Sequence, residues 1–184
     1  MLRRVLIALV LAALIGAGIG LWVTAPSRVD AARLAGLTGD TTRGQAVFTA
    51  AGCASCHHAP GSDDKLVLAG GQAFASDFGT FYAPNISPSQ AGLQGWSQAD
   101  FANAVLRGVS PSGQHYYPAF PYTAYARMTD QDLVDLWAYM QGLPADDTAS
   151  RAHDVGFPFN IRRSVGGWKF LFFTTEGWVA EAPT

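Results

Sequence analysis

The chain opens with an apolar run that has no polar face: from Val5 to Val23 only the indole N–H of Trp22 can seek water. As a helix rising about 1.5 Å per residue it reaches roughly 28 Å, close to the thickness of a bilayer's hydrocarbon core. The run outlasts the roughly 7–15 apolar residues of a removable signal. Residues 1–23 therefore read as a retained anchor, with cleavage at the weak small-residue site Val29-Asp30-Ala31 as the alternative. Arg3 and Arg4 hold the start on the cytoplasmic side in both cases, and the chain beyond Trp22 is exported. Ala8, Ala12, Gly16 and Gly20 recur every four residues, a small-residue stripe on which a partner transmembrane helix can pack; chance competes, because Ala and Gly fill much of the segment.

Residues 24–39 carry no sustained period and are expected to be a linker. A helical rhythm then begins: Gly44, Val47, Phe48 and Ala51 stand at i, i+3, i+4 and i+7, predicting a short helix on which Gly44 lets another helix come close. From Ala59 to Gly95 the chain is rich in Gly, Pro, Ser and Asp without a helical or alternating pattern, and predicts a long wrapping loop whose contacts must come from something else. Ser97-Gln98-Ala99-Asp100 has the form of a capping box opening a helix through Arg107, closed by Gly108. Thr129-Asp130-Gln131-Asp132 opens another, with Leu133, Leu136, Trp137 and Met140 on one face and Gly142-Leu143-Pro144 ending it.

The domain is thus placed at 40–145, followed by an aromatic-rich extension over 146–184. In it Phe157, Phe159, Trp168, Phe170, Leu171, Phe172 and Phe173 are too many large apolar groups to leave in water. Packing back on the domain is the expectation; with Arg162, Arg163 and Lys169 nearby, docking to a membrane surface or a partner subunit is the alternative.

Composition sharpens this only in part. An apolar content of 49% belongs to a packed protein, not a disordered or fibrous one. The formal charge of -2, more acidic still once the first thirty residues are set aside, excludes nucleic acid as a partner. The 2 cysteines matter most, because they fall in Cys53-Ala54-Ser55-Cys56-His57. They are too few for a disulfide framework, and a zinc site would have to recruit more ligands from His58, His115 and His153. A redox dithiol lacks the trailing histidine. Cys-x-x-Cys-His is instead the attachment signal for a c-type haem. One helical turn aims both thiols at the haem vinyls and the next imidazole at iron. Cys53 and Cys56 are assigned to covalent haem c and His57 to the iron, its proton on Nδ1 donated to a main-chain carbonyl, for which Leu66 to Gly71 and Pro84 are candidates.

Three side chains compete for the sixth iron position: Met128, Met140 and His115. Met128 precedes the capping Thr129, where stapling onto Leu133 is the plain alternative. Met140 lies on a packing stripe, and a loop histidine such as His115 is ordinarily a polar surface group. Met128 is preferred, because it comes from a loop and not from a helix face needed for the core. Trp96 and Arg127 are candidates for hydrogen bonds to the haem propionates, with an ordinary core tryptophan and a solvated surface arginine as the equal alternatives.

Between Gly39 and Trp178 the chain resembles the first haem domain of the multihaem cytochrome subunits of bacterial membrane-bound alcohol and gluconate dehydrogenases. The stretches that carry the resemblance are Arg43-Gly44, Cys53 to His57, Leu68-Ala69-Gly70-Gly71, Ala83-Pro84-Asn85-Ile86-Ser87-Pro88, Gly95-Trp96-Ser97, Tyr117-Pro118-Ala119-Phe120-Pro121-Tyr122 and Pro158-Phe159-Asn160-Ile161-Arg162. The resemblance implies an all-α, small class I-type cytochrome c fold, three to four helices around a covalent haem, in which the Gly44–Phe48 helix crosses the Trp137–Tyr139 helix. It also implies that a methionine in the position of Met128 is the axial ligand; many other small cytochromes carry Met directly before Pro-Ala-Phe, a slot filled here by Tyr117. The relatives so resembled continue into further haem domains, whereas this sequence holds one attachment motif, so one haem is expected.

A His/Met haem has no open coordination position, and a thioether ligand favours a relatively high potential. The expected function is therefore one-electron transfer at the periplasmic face of a bacterial inner membrane, between a dehydrogenase or quinol-oxidising complex and a terminal acceptor. The competing classes are a five-coordinate haem enzyme or gas sensor, in which Met128 is only a staple, and an accessory subunit whose anchor and tail serve assembly.

Overall fold

The computed structural model describes residues 1–174; the end of the extension, with Trp178, lies outside the described residues. Helix α1 (Leu2–Val23) has no buried residue, and Ala12, Gly16 and Gly20 all stand exposed on it, clear of the domain. The segment 24–39, expected as a plain linker, lies against the domain. A single 3-10 turn, Ala31–Leu34, buries Leu34, while the Val29 N–H donates to Asn103 Oδ1 at 2.8 Å. Leu34, Val29 and Leu37 all pack on the main core.

Two of the helices begin and end where the local chemistry dictates. Helix α2 (Thr41–Ala51) starts at Asp40, whose carboxylate accepts from the Thr42 and Arg43 amides, and stops at Gly52, in the left-handed region. It leads directly into the one-turn helix α3 (Cys53–His57). After the loop, α4 (Gln98–Arg107) carries the full Ser97/Asp100 capping box and ends at Gly108. A short α5 (Tyr122–Tyr125) precedes α6 (Asp130–Met140), whose first turn is capped by Thr129. The extension supplies α7 (Ser164–Phe172).

Helices α2 and α6 cross at Gly44, where a Cβ would overlap the Asp135 carbonyl and come within 2.7 Å of Tyr139 Cβ. Beside that crossing Phe48 stacks on Tyr139 at 5.3 Å and Arg43 pairs with the fully buried Asp135. Phe101 of α4 meets Trp137 of α6 at 5.0 Å. The core is Phe48, Leu68, Phe101, Val105, Leu133, Leu136 and Met140 with smaller neighbours. Each such side chain, fully buried, is worth about 1.5–3 kcal/mol.

The all-α expectation is corrected to a mostly helical fold with a small sheet. Strands β1 (Ala73–Ser76) and β2 (Gly79–Tyr82) form an antiparallel hairpin inside the loop region, and β3 (Asp154–Val155) from the extension adds to β2. None of these runs alternates apolar with polar residues, since β1 is exposed throughout. The Thr80–Asp154 pairing joins positions too far apart for any local pattern to announce it.

Candidate functional site

Gly52 serves as the last cap of α2 and the first of α3, and its φ of 69° turns the chain so that Cys53, Cys56 and His57 follow at once on a new axis. Cys53 is half-buried against the core and Cys56 is half-buried; both thiols are free of disulfide. Burial pushes the Cys53 thiol up to about 11. A working redox dithiol needs a thiolate near neutral pH, which this burial opposes.

His57 Nδ1 lies 2.8 Å from Pro84 O, one of the carbonyls expected from sequence. A carbonyl only accepts, so the ring proton sits on Nδ1 and Nε2 keeps its lone pair. Nε2 has no hydrogen-bond partner among the described residues. Burial lowers the affinity of the imidazole for a second proton, with the Pro84 bond opposing, so the neutral ligand form is favoured.

The carbonyl that orients His57 is itself held. Residues 68–72 run beside 83–86 through Gly71 N to Ala83 O (2.8 Å), Ala83 N to Gln72 O (2.9 Å) and Ile86 N to Leu68 O (3.0 Å), and Gly70 N donates to His57 O at 2.8 Å. Gly70 has a φ of 71°, and any side chain there would run into the Ala83 and Pro84 carbonyls. On the other side the buried Asn85 donates through Nδ2 to Asp146 O (2.7 Å) and Thr148 O (2.9 Å) and accepts from Ser87 N (2.9 Å), while its own N–H reaches Ser150 Oγ (2.9 Å). Within the Ala83 to Pro88 stretch nothing local marks Asn85 for this part. A buried amide with all its groups satisfied is a tertiary fact with no local signal.

The predicted partners converge on the same core. Trp96 and Met128 are half-buried against it, as are Cys53, Ala54, Ile86 and Tyr125. Tyr125 Oη donates to Ala51 O at 2.7 Å, and the Met128 amide donates to Tyr125 O at 2.9 Å, so the loop carrying Met128 is tied to the end of α2, immediately before Cys53. Arg127 is exposed next to Met128. Met140 is 2% exposed within the core, and its thioether packs there. His115, expected at the surface, is buried at the far end of α4, its Nε2 donating to Thr24 O at 3.0 Å. His58 is half-buried and in contact with Gln72.

Cys53, Ala54, Ile86, Trp96, Tyr125 and Met128 are among the partly buried apolar residues packed on the core, surface of the kind a flat apolar group would cover. The donors are chemically apt: two thiols on one turn, a neutral imidazole with its lone pair oriented, and a soft thioether. The residues fit the group.

Residues 41–144, more than half of the chain, match the cytochrome c family, and the chain belongs to it. It is an electron carrier of that type, and the family's prosthetic group is haem c. Across 183 residues it is 49% identical to the "Diheme cytochrome c-type" protein of Cereibacter sphaeroides, spanning 98% of this chain and 62% of that protein. It is 40% identical over 130 residues to the fructose dehydrogenase cytochrome subunit of Gluconobacter japonicus and 35% over 132 residues to the gluconate 2-dehydrogenase cytochrome c subunit of Pantoea cypripedii. Those alignments cover 70% and 71% of this chain but 26% and 29% of the relatives, so the chain spans less than two thirds of the length of each. The kinship with dehydrogenase cytochrome subunits, legible in the motifs, is thereby shown.

Proposed function

We propose that the chain is a membrane-anchored carrier with one haem, moving single electrons at the periplasmic face of the inner membrane, and that it equates to the first haem domain of its longer relatives. The observation that carries this is the His57–Pro84 contact of 2.8 Å, which leaves Nε2 free beside two thiols of the Cys-x-x-Cys-His turn. Bound there, haem c supplies a one-electron iron couple. Cys53 and Cys56 would hold it covalently, and His57 and Met128 would both ligate its iron, leaving no position for substrate. Arg127 and Trp96 would contact the propionates, and the core behind Cys53 would exclude water from one face. The redox partner proposed is a dehydrogenase, by kinship with the fructose and gluconate dehydrogenase subunits. The fold around the haem is of class I type.

Retention of α1 is supported by the domain's own bonds. Thr24 O accepts from His115 and Thr24 Oγ1 from Arg163, so removal of the first thirty residues would strip partners from a buried histidine and an arginine.

The test is the haem itself. Full-length protein should retain one haem per chain after denaturation, and Cys53→Ala with Cys56→Ala should lose it. Oxidised protein should show the weak far-red sulfur-to-iron band and, reduced, should resist carbon monoxide. Met128→Ala should abolish the band, open the site to carbon monoxide and lower the potential. Met140→Ala should leave the spectrum alone while removing about 2–5 kcal/mol of stability. A wild type that binds carbon monoxide readily would establish the five-coordinate enzyme or sensor instead.

A further inference from the structure

Where the exported domain meets the end of α1, three arginines gather with no carboxylate partner among the described residues. Arg28 Nη2 donates to Pro111 O at 3.0 Å and Arg162 Nη1 to His115 O at 3.2 Å. Arg163 donates through Nε to Thr24 Oγ1 at 2.8 Å and through Nη2 to Leu21 O. The ion pairs among the described residues are Arg33 with Asp130 and Arg43 with Asp40 and Asp135, all elsewhere. Arg162 and Arg163 line a cavity of about 460 Å³ with Pro26, Gln114, His115 and Asn160. Arg28 borders it beside Gly113, a further wall residue, where an added Cβ would stand 3.6 Å from the Arg28 Nη2.

The bonds from Arg163 to Leu21 and Thr24 fix α7 at the level where α1 would leave the hydrocarbon core. The buried side of α7 is Val165, Gly166 and Lys169, with Lys169 Nζ donating to Arg107 O and Gly108 O. Its outer side presents Phe170, Leu171 and Phe172, at 65%, 69% and 69% exposure. Cations at the exported end of a span run against the bias that collects Lys and Arg in the cytoplasm. Next to an apolar helix face they have the composition of an element that lies in a membrane interface, and guanidinium forks match phosphate oxygens.

We propose that Arg28, Arg162 and Arg163 seat the phosphate headgroup of an anionic phospholipid of the exported leaflet, while Phe170, Leu171 and Phe172 rest among its acyl chains. The domain is then laid on the membrane at a fixed height and does not swing from α1. This rests on the retention of α1 proposed above.

The experiment uses the full-length holoprotein in nanodiscs of phosphatidylcholine, alone or mixed with phosphatidylglycerol, carrying a nitroxide at Leu171→Cys. In the discs the label should be relaxed more by oxygen than by a water-soluble nickel chelate. Native mass spectrometry should find phosphatidylglycerol retained over phosphatidylcholine, with Arg28→Gln and Arg162→Gln each lowering that preference about fivefold. Equal retention of the two lipids, a label that the nickel chelate reaches, or a label shielded from both reagents by protein would each overturn the proposal while leaving the anchor intact. A chain that does not enter the disc at all overturns the anchor and this proposal together.

Discussion

His57 and His115 begin from the same chemistry and end in different places. Each gives one ring nitrogen to a main-chain carbonyl, His57 to Pro84 at 2.8 Å and His115 to Thr24 at 3.0 Å. The second nitrogen separates them. His57 stands on the one-turn helix that carries both thiols, whereas His115 Nδ1 is sealed and unpartnered among the described residues. In the proposed carrier an imidazole becomes a ligand through what surrounds its free nitrogen, since both histidines make the orienting bond. The two regions also differ in what holds the carbonyl: a knot of loop and extension for Pro84, the last turn of the anchor for Thr24.

The knot should be the more expensive of the two to break. Asn85→Ala would take a donor from the Thr148 carbonyl, leave the Asp146 carbonyl only the Ser87 and Ser89 hydroxyls and strip the Ser87 amide of its acceptor, three bonds lost for about 3 kcal/mol. Ser150→Ala removes one bond and should cost about 1 kcal/mol. Denaturant melts of the holoprotein give both values; equal costs would mean that the knot does not act as a unit.

A middle-sized effect concerns the α2–α6 crossing that backs the haem turn. The Arg43 guanidinium, before the smaller contributions of Asp40 N–H and Gln131, holds the Asp135 carboxyl down to about 2. A carboxyl depressed in the folded state contributes stability above its unfolded pKa, and that contribution is lost as pH falls from about 4 toward 2. Wild-type stability should decline across that window, and Asp135→Asn should show a flatter acid limb from a lower neutral-pH value, followed by thermal melts against pH.

The smallest effect tests the comparison directly. His115→Leu removes a sealed, unpartnered nitrogen but orphans Thr24 O, and the two should nearly offset, leaving a change of about 1 kcal/mol. The haem spectrum should be untouched. A changed axial-ligand spectrum would restore His115 as a rival to Met128 at the iron.

Much of this is legible in the chain before it folds. The Cys53–His57 motif, the Ser97 and Thr129 caps and the Gly44 periodicity are local: each depends on spacings within a turn or two, where side-chain chemistry and helical geometry act on neighbours in sequence. Pro84 could be proposed as a partner of His57 but not chosen over the carbonyls of residues 66–71, because every carbonyl accepts equally well and only the path of the loop selects one.

What the sequence by itself determined is the kind of protein: an apolar span, one haem attachment turn and a helical domain come from composition, period and motif, which are properties of short stretches. What the tertiary structure decided is how distant stretches use one another. The extension pins the loop behind Pro84 through Asn85, residues 24–39 pack on the domain, β3 completes a sheet that no alternation foretold, and α7 closes on the end of α1. These pairings join groups dozens of residues apart, and their energies depend on burial and exact placement, which exist only once the chain has folded.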